Sequence, residues 1–143
     1  MKKVESIKQL IEELKLDKSA FLRYEIGELS EQEIIQIKEA TGFDLSGYKR
    51  TMYSYGVNHA IKKHGNPKTE ESRGQVAITE EDFELIPQIV ANPDSIEFGE
   101  KNDLGNDLIK YSKTIGNQLF YVEEIRNGRK EVVLQTLYKR KVR

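Results

Sequence analysis

Apolar residues recur at helical spacing near the start of the chain. Val4, Ile7, Leu10, Ile11 and Leu14 lie on one stripe, which predicts an amphipathic helix over residues 4–16. Ser30 followed by Glu33 forms a capping-box pattern. It opens a second helix through Ile34, Ile37 and Ala40, and Gly42 ends it. A third helix is expected over residues 54–64, with Ser54 as its cap and a stop at Gly65-Asn66-Pro67. Residues 66–75 are polar and read as a loop. Thr79 with Asp82 caps a further short helix, Pro87 begins another turn, and Asn92-Pro93-Asp94 punctuates.

From residue 95 the period changes to two. Ile96-Glu97-Phe98 reads as a short strand closed by Gly99. The dipeptides Gly116-Asn117 and Asn127-Gly128 then suit two-residue hairpin turns. They define a meander of strands at about 107–115, 118–126 and 129–139. Helices followed by a meander mean an α+β fold rather than an α/β one. The acidic helical pair over 1–45 reads as an N-terminal appendage to a domain of residues 46–143, with Gly47 as the joint.

Two-residue turns fix the register, and register decides which side chains share a face. Thr114 is expected opposite Leu119, Ser112 opposite Tyr121 and Lys110 opposite Glu123. On the next strand, Thr136 is expected opposite Leu119, Leu134 opposite Tyr121 and Val132 opposite Glu123. Ile109, Tyr111, Ile115, Phe120, Val122, Val133 and Leu137 then form a core face. Lys110, Ser112, Thr114, Tyr121, Glu123, Thr136 and Tyr138 form a polar one. That second face reads either as the wet side of an antiparallel sheet or as a platform holding a phosphate ester and stacking a base.

Composition narrows the classes. With 143 residues, 37% hydrophobic and 33% charged, the chain suits one small domain with a well-solvated skin. No stretch nears the roughly 20 apolar residues of a membrane span, and the basic N-terminus lacks the apolar core of a signal peptide. The absence of cysteine excludes disulfides, a thiolate nucleophile and a zinc site with sulfur ligands, and is compatible with a cytoplasmic location. The net charge of −1 divides into −3 over residues 1–45 and +2 over the rest, so no global polycation advertises nucleic acid. Lys139, Arg140, Lys141 and Arg143 make the C-terminus basic, which suits either a solvated end or a phosphate-attracting one.

The only two histidines, His59 and His64, lie in the third helix about 140° apart, so they are not an i, i+4 metal pair. His64 follows Val57 and Ile61 on the apolar stripe, where an imidazole can cap the helix end. His59 shares the other side with Lys62 and Lys63. Both residues are also of the type that does general acid–base chemistry near neutral pH. No P-loop, dinucleotide fingerprint, H-E-x-x-H or nucleophile elbow occurs.

The segment His59-Ala60-Ile61-Lys62-Lys63-His64-Gly65 is followed by Gly74-Gln75-Val76-Ala77-Ile78-Thr79-Glu80-Glu81-Asp82-Phe83. After it come Ile86-Pro87-Gln88-Ile89-Val90-Ala91-Asn92-Pro93-Asp94, Ile109-Lys110-Tyr111 and Leu134-Gln135-Thr136-Leu137-Tyr138-Lys139. This ordered set, over roughly residues 46–141, resembles the phage-associated branch of the barnase–EndoU–colicin–RelE-like nucleases. The resemblance implies N-terminal helices packed on a small antiparallel β-sheet. It also implies metal-independent RNA cleavage by the substrate's own 2′-OH, without cofactor. On that reading His59 and His64 are base and acid in unassigned order. Lys110 stabilises phosphate charge and Thr136 binds a phosphate oxygen, with Tyr138, Tyr121, Lys139 and Arg73 as substrate-binding candidates. RNA is the implied partner, and residues 1–45 could dock a phage structural or neutralising protein. The same fold would also suit an inactive RNA- or protein-binding module, or a phage head or packaging accessory.

Overall fold

Ser6 accepts a hydrogen bond from the Gln9 amide and starts the first helix, whose Ile7, Leu10, Ile11 and Leu14 are all buried. The computed structural model describes residues 1–142; Arg143 of the basic C-terminus lies outside the described residues. In chain order the elements are β1 (Lys2–Lys3), α1 (Ile7–Leu16), β2 (Leu22–Glu28), α2 (Glu31–Thr41), β3 (Lys49–Tyr53) and α3 (Ser54–His64). There follow α4 (Pro67–Ser72), a 3₁₀ turn (Glu80–Leu85), α5 (Ile86–Ala91), β4 (Ser95–Lys101), β5 (Asp107–Ile115), β6 (Asn117–Arg126) and β7 (Glu131–Arg140). Both capping boxes form as expected, at Ser30/Glu33 and at Thr79/Asp82, and Gly42 closes α2 in the left-handed conformation. Ser54 does not cap α3. Its hydroxyl accepts from the Leu22 amide and donates to the Ala20 carbonyl, which ties the start of α3 to the start of β2.

The fold is α+β, but its sheet is neither small nor wholly antiparallel. Seven strands run in the order β1-β2-β3-β7-β6-β5-β4, with β1 parallel to β2 and β3 parallel to β7. Residues 1–45, expected as a helical appendage, supply two of these strands. Their Val4, Leu10, Leu14, Leu22 and Ile37 belong to one core with Phe83, Ile89, Ile109 and Leu137. Among the described residues no helix is long and apolar enough to cross a membrane.

Both expected registers are displaced. Ile115 pairs with Asn117 across Gly116 alone, whose φ of 72° only glycine adopts readily, so Lys110 opposes Val122 and Ser112 opposes Phe120. The second connection takes four residues, because Arg126 pairs with Glu131, and Gln135 is left over as a β-bulge. Val122 therefore pairs with Thr136. β6 is consequently turned over relative to expectation. Phe120 and Val122, together with Val133, leave the core face for the polar face, while Tyr121 and Glu123 enter the core.

In the core Glu123 is fully satisfied. Arg50 reaches it through Nε at 2.9 Å and Nη2 at 3.2 Å, and the Tyr121 and Tyr111 hydroxyls donate to its two oxygens. Glu33 of α2 takes Nη1 of Arg50 at 3.2 Å. Burial opposes charge on Arg50, but the Glu123 carboxylate more than offsets it and keeps the guanidinium pKa well above its ordinary value.

Candidate active site

β3 stops pairing with β7 after Thr51 meets Val133, and the chain enters α3 one residue beyond Tyr53. α3 then takes the place of β3 along the edge of β7. Gly56 makes this approach possible, since a Cβ there would lie 2.8 Å from the Leu134 carbonyl oxygen. From Gly56 beside Leu134 the helix runs parallel to β7 and brings the His64 ring to 5.2 Å from that of Tyr138. Eight helical residues rise about 12 Å and four strand residues about 13 Å, so helix and strand stay in step. His59, midway and exposed, lines a cavity of about 430 Å³ with Leu134 and Gln135. Along the direction of β7, His59 therefore lies level with Leu134 and Gln135 and His64 level with Tyr138, which brackets the position of Thr136.

His64 is buried, and its Nδ1 lies 3.0 Å from Oε2 of Glu70. Glu70 is completely buried and takes Nη1 of Arg73 on its other oxygen, also at 3.0 Å. It is delivered by α4, which the Asn66 side chain caps and Pro67 begins. Among the described residues Nε2 of His64 has no hydrogen-bond partner, nor is it one of the buried unsatisfied atoms.

Tyr138 continues the array. Its ring stacks on Phe120 at 4.8 Å, and Nζ of Lys110 lies 5.6 Å from the ring centre. The Tyr138 hydroxyl, as acceptor, raises the Lys110 pKa despite partial burial, with Glu100 and Glu97 adding to it, so the ammonium stays charged. A cavity of about 410 Å³ opens beside Lys110, lined also by Glu97, Glu100 and Val122. Thr136 occupies the same face through its pairing with Val122, and its Oγ1 is sealed from solvent without a partner. The Arg140 guanidinium caps the array, 4.8 Å from the Phe120 ring centre.

Of the predicted residues, Lys110, Thr136 and Tyr138 share one face of the sheet and His64 packs its ring against Tyr138, while His59 lines the separate cavity beside Gln135. Three others lie elsewhere. Tyr121 is 1% exposed on the opposite, core side and donates to Glu123. Lys139 points away from Tyr138, as alternation along a strand requires, and pairs with Asp82 at 2.9 Å. Arg73 is committed to Glu70 and to the Lys63 carbonyl. Glu70 was hidden in a stretch read as loop, although Asn66-Pro67 is an N-cap followed by an N1 proline and could have announced a helix. Gln135 becomes a surface of the site only through the bulge, which a regular two-residue hairpin would not create.

A family model described as phage-Barnase-EndoU-ColicinE5/D-RelE like nuclease3 matches residues 25–143. The match begins inside β2 rather than at residue 46, so it takes in the end of β2 and all of α2 as well. No curated protein and no solved structure matches the chain.

Proposed function

The chain belongs to this family of phage-associated barnase–EndoU–colicin–RelE-like nucleases, and from that premise we propose that it is a metal-independent endoribonuclease. What supports the reading above all is the parallel run of α3 along β7, which spaces the two histidines along the strand that carries Thr136, His59 level with Gln135 and His64 level with Tyr138. His64 donates its Nδ1 proton to Glu70 and so presents a basic Nε2, which removes the proton from the substrate 2′-OH. The 2′-oxygen attacks the adjacent phosphorus, and the P–O5′ bond breaks as His59 passes a proton to the leaving oxygen. Lys110 neutralises the non-bridging oxygens as charge gathers on the phosphorane, and the Thr136 hydroxyl holds one of them after a χ1 rotation turns it out of its buried position. Tyr138 carries the Lys110 ammonium over its ring and walls the site beside His64. The products are a 2′,3′-cyclic phosphate and a free 5′-OH, and every proton is handled by a side chain already present.

The test is incubation of purified protein with tRNA and total RNA in excess EDTA, with end-group analysis of the fragments. Cyclic-phosphate ends are expected. His59→Ala and Thr136→Ala should each reduce cleavage by at least ~100-fold, within the span of general acid–base and charge-stabilising groups, while keeping the wild-type unfolding midpoint. Intact RNA from folded wild-type protein would overturn the proposal and leave a binding module.

A further inference from the structure

The cavity beside His59 has features that proton transfer does not require. Tyr55 forms one wall. Its ring stacks on Tyr53 at 5.4 Å and 14°, and its hydroxyl accepts from Nη2 of Arg126 at 2.6 Å. The Arg126 guanidinium lies 5.6 Å from the Tyr53 ring centre and 5.9 Å from that of Tyr55. Tyr55 is nonetheless 44% exposed, so a ring held by a stack and a hydrogen bond still lines the cavity. An aromatic face held open in this way is a stacking platform whose ordering is complete before anything binds.

The floor carries amides. Asn102, from the turn between β4 and β5, shares its Nδ2 between Oε2 of Glu124 at 2.6 Å and Oε1 of Gln135 at 3.3 Å. Glu124 is buried and saturated, since it also accepts from Asn106 at 2.8 Å and from Nε of Arg126 at 2.8 Å. Gln135 differs. Only its oxygen is engaged, and its two amide hydrogens have no partner among the described residues. The bulge places it on the same face as the next residue, Thr136, so a ligand touching Gln135 lies one strand position from the proposed phosphate site. At about 430 Å³ the cavity falls within the small-ligand range of roughly 300–1,000 Å³.

We propose that this cavity binds one nucleobase next to the scissile phosphate, stacked on Tyr55 and with its polar edge read by the Gln135 amide. The inference rests on the ribonuclease reading for its orientation, but not for its test. A planar, apolar-faced ligand with a hydrogen-bonding rim and an attached phosphate is what the wall, the floor and the neighbouring Thr136 jointly fit.

The experiment measures binding of uncleavable 2′-deoxy tetranucleotides by fluorescence anisotropy. Four carry a different base at one position and a fifth is abasic there, and the proteins are wild type, Tyr55→Ala and Gln135→Ala. Wild type should bind its preferred base about 5- to 150-fold more tightly than the abasic ligand, the range for one stacked base. Tyr55→Ala should lose most of that ratio. Gln135→Ala should keep the stacking gain but bring the four bases within about threefold of one another, from a wild-type spread of at least ~10-fold. Equal binding of base-bearing and abasic ligands by wild type, or ratios unchanged in both variants, overturns the proposal. Wild type that shows the base dependence but cuts no RNA keeps the nucleobase cavity and removes the transesterase.

Discussion

The Glu70–His64 pair gives the mechanism its sharpest test, through Glu70→Gln. The carboxylate accepts from His64 Nδ1 on one oxygen and from Arg73 Nη1 on the other, each at 3.0 Å, in a fully buried position. An amide of the same shape has only one oxygen to give. If that oxygen faces Arg73, the NH₂ faces Nδ1, which must become an acceptor; the ring proton then moves to Nε2 and the base is lost. If the oxygen faces His64, two donors confront each other across 3.0 Å at Arg73. A positioned general base contributes ~10²–10⁴ to rate, so partial occupancy of the wrong tautomer should lower single-turnover cleavage roughly 10- to 1,000-fold. Loss of a charge-assisted hydrogen bond at a buried site should also reduce stability by ~1.5–3 kcal/mol. The two effects separate in the Arg73→Ala background. There no cation opposes the NH₂, the oxygen can turn to His64, and Glu70→Gln should cost at most about threefold in rate. Single-turnover cleavage of a labelled RNA in EDTA across the pH range, alongside urea unfolding, reads both quantities. Wild-type rate and pH profile for Glu70→Gln in the native background would refute the assignment of His64 as base.

Gly56→Ala should destabilise, although alanine is the better helix former by ~1 kcal/mol. Its Cβ would meet the Leu134 backbone oxygen at 2.8 Å, which cannot rotate away, so α3 must lift from β7 at a net loss of ~1–3 kcal/mol, with cleavage falling as the histidines move from Thr136. A raised urea midpoint would show the contact to be slack. Tyr111 and Tyr121 have phenol pKa values pushed well above the ordinary range, first by burial and next by the Glu123 carboxylate. Their neutral forms therefore stabilise the fold below the unfolded-chain value of about 10, and that contribution is lost as pH rises above it, by up to ~1.4 kcal/mol per pH unit for each phenol. Urea midpoints from about pH 8 to 11 should fall more steeply for wild type than for Tyr121→Phe; parallel curves would contradict the linkage.

What could be read from the sequence was local. The capping boxes at Ser30 and Thr79, the stop at Gly42 and the stripe through Leu10 and Leu14 each act within a few residues, and each recurs in the structure. β2 and β3 escaped because their side chains do not alternate cleanly. Glu25 pairs with Arg23 along β2 at 3.9 Å and with Lys49 across to β3 at 3.3 Å, and Arg50 is buried against Glu123. A buried ion pair inverts the hydrophobic code on which strand patterns depend. The meander shows a different failure. Gly116 turns the chain alone, and Asn127-Gly128 sits within a four-residue connection, so β6 is displaced by one residue against β5 and, against β7, by two next to the turn and three beyond the Gln135 bulge. Each odd shift inverts a face, and the two cancel between β5 and β7. For that reason Lys110, Thr136 and Tyr138 share a face as expected, while Tyr121 was lost to the core.

The two faces of the sheet also explain where chemistry can reside. Both carry charge. On the core side Arg50, Glu123, Tyr111, Tyr121 and Glu33 use their hydrogen-bonding capacity on one another, which fixes the packing but leaves nothing to bind with. On the other side the inventory does not close. Among the described residues the hydroxyls of Thr136 and Thr51 are sealed without partners, the Gln135 amide hydrogens have none, His59 is exposed, and Glu70 holds one nitrogen of His64 while the other has no partner. Folding alone would fill such valences or replace the groups with apolar ones, because an unmet buried hydroxyl is destabilising. On β7 itself the Thr136 hydroxyl and the Gln135 amide lie one residue apart, beside a helix that glycine allows to approach the strand, and the proposed ligand would complete both. On the proposed function, a phosphodiester with one attached base would supply acceptor oxygens for Thr136 and Lys110, a proton for Nε2 of His64 and an edge for Gln135 in a single molecule.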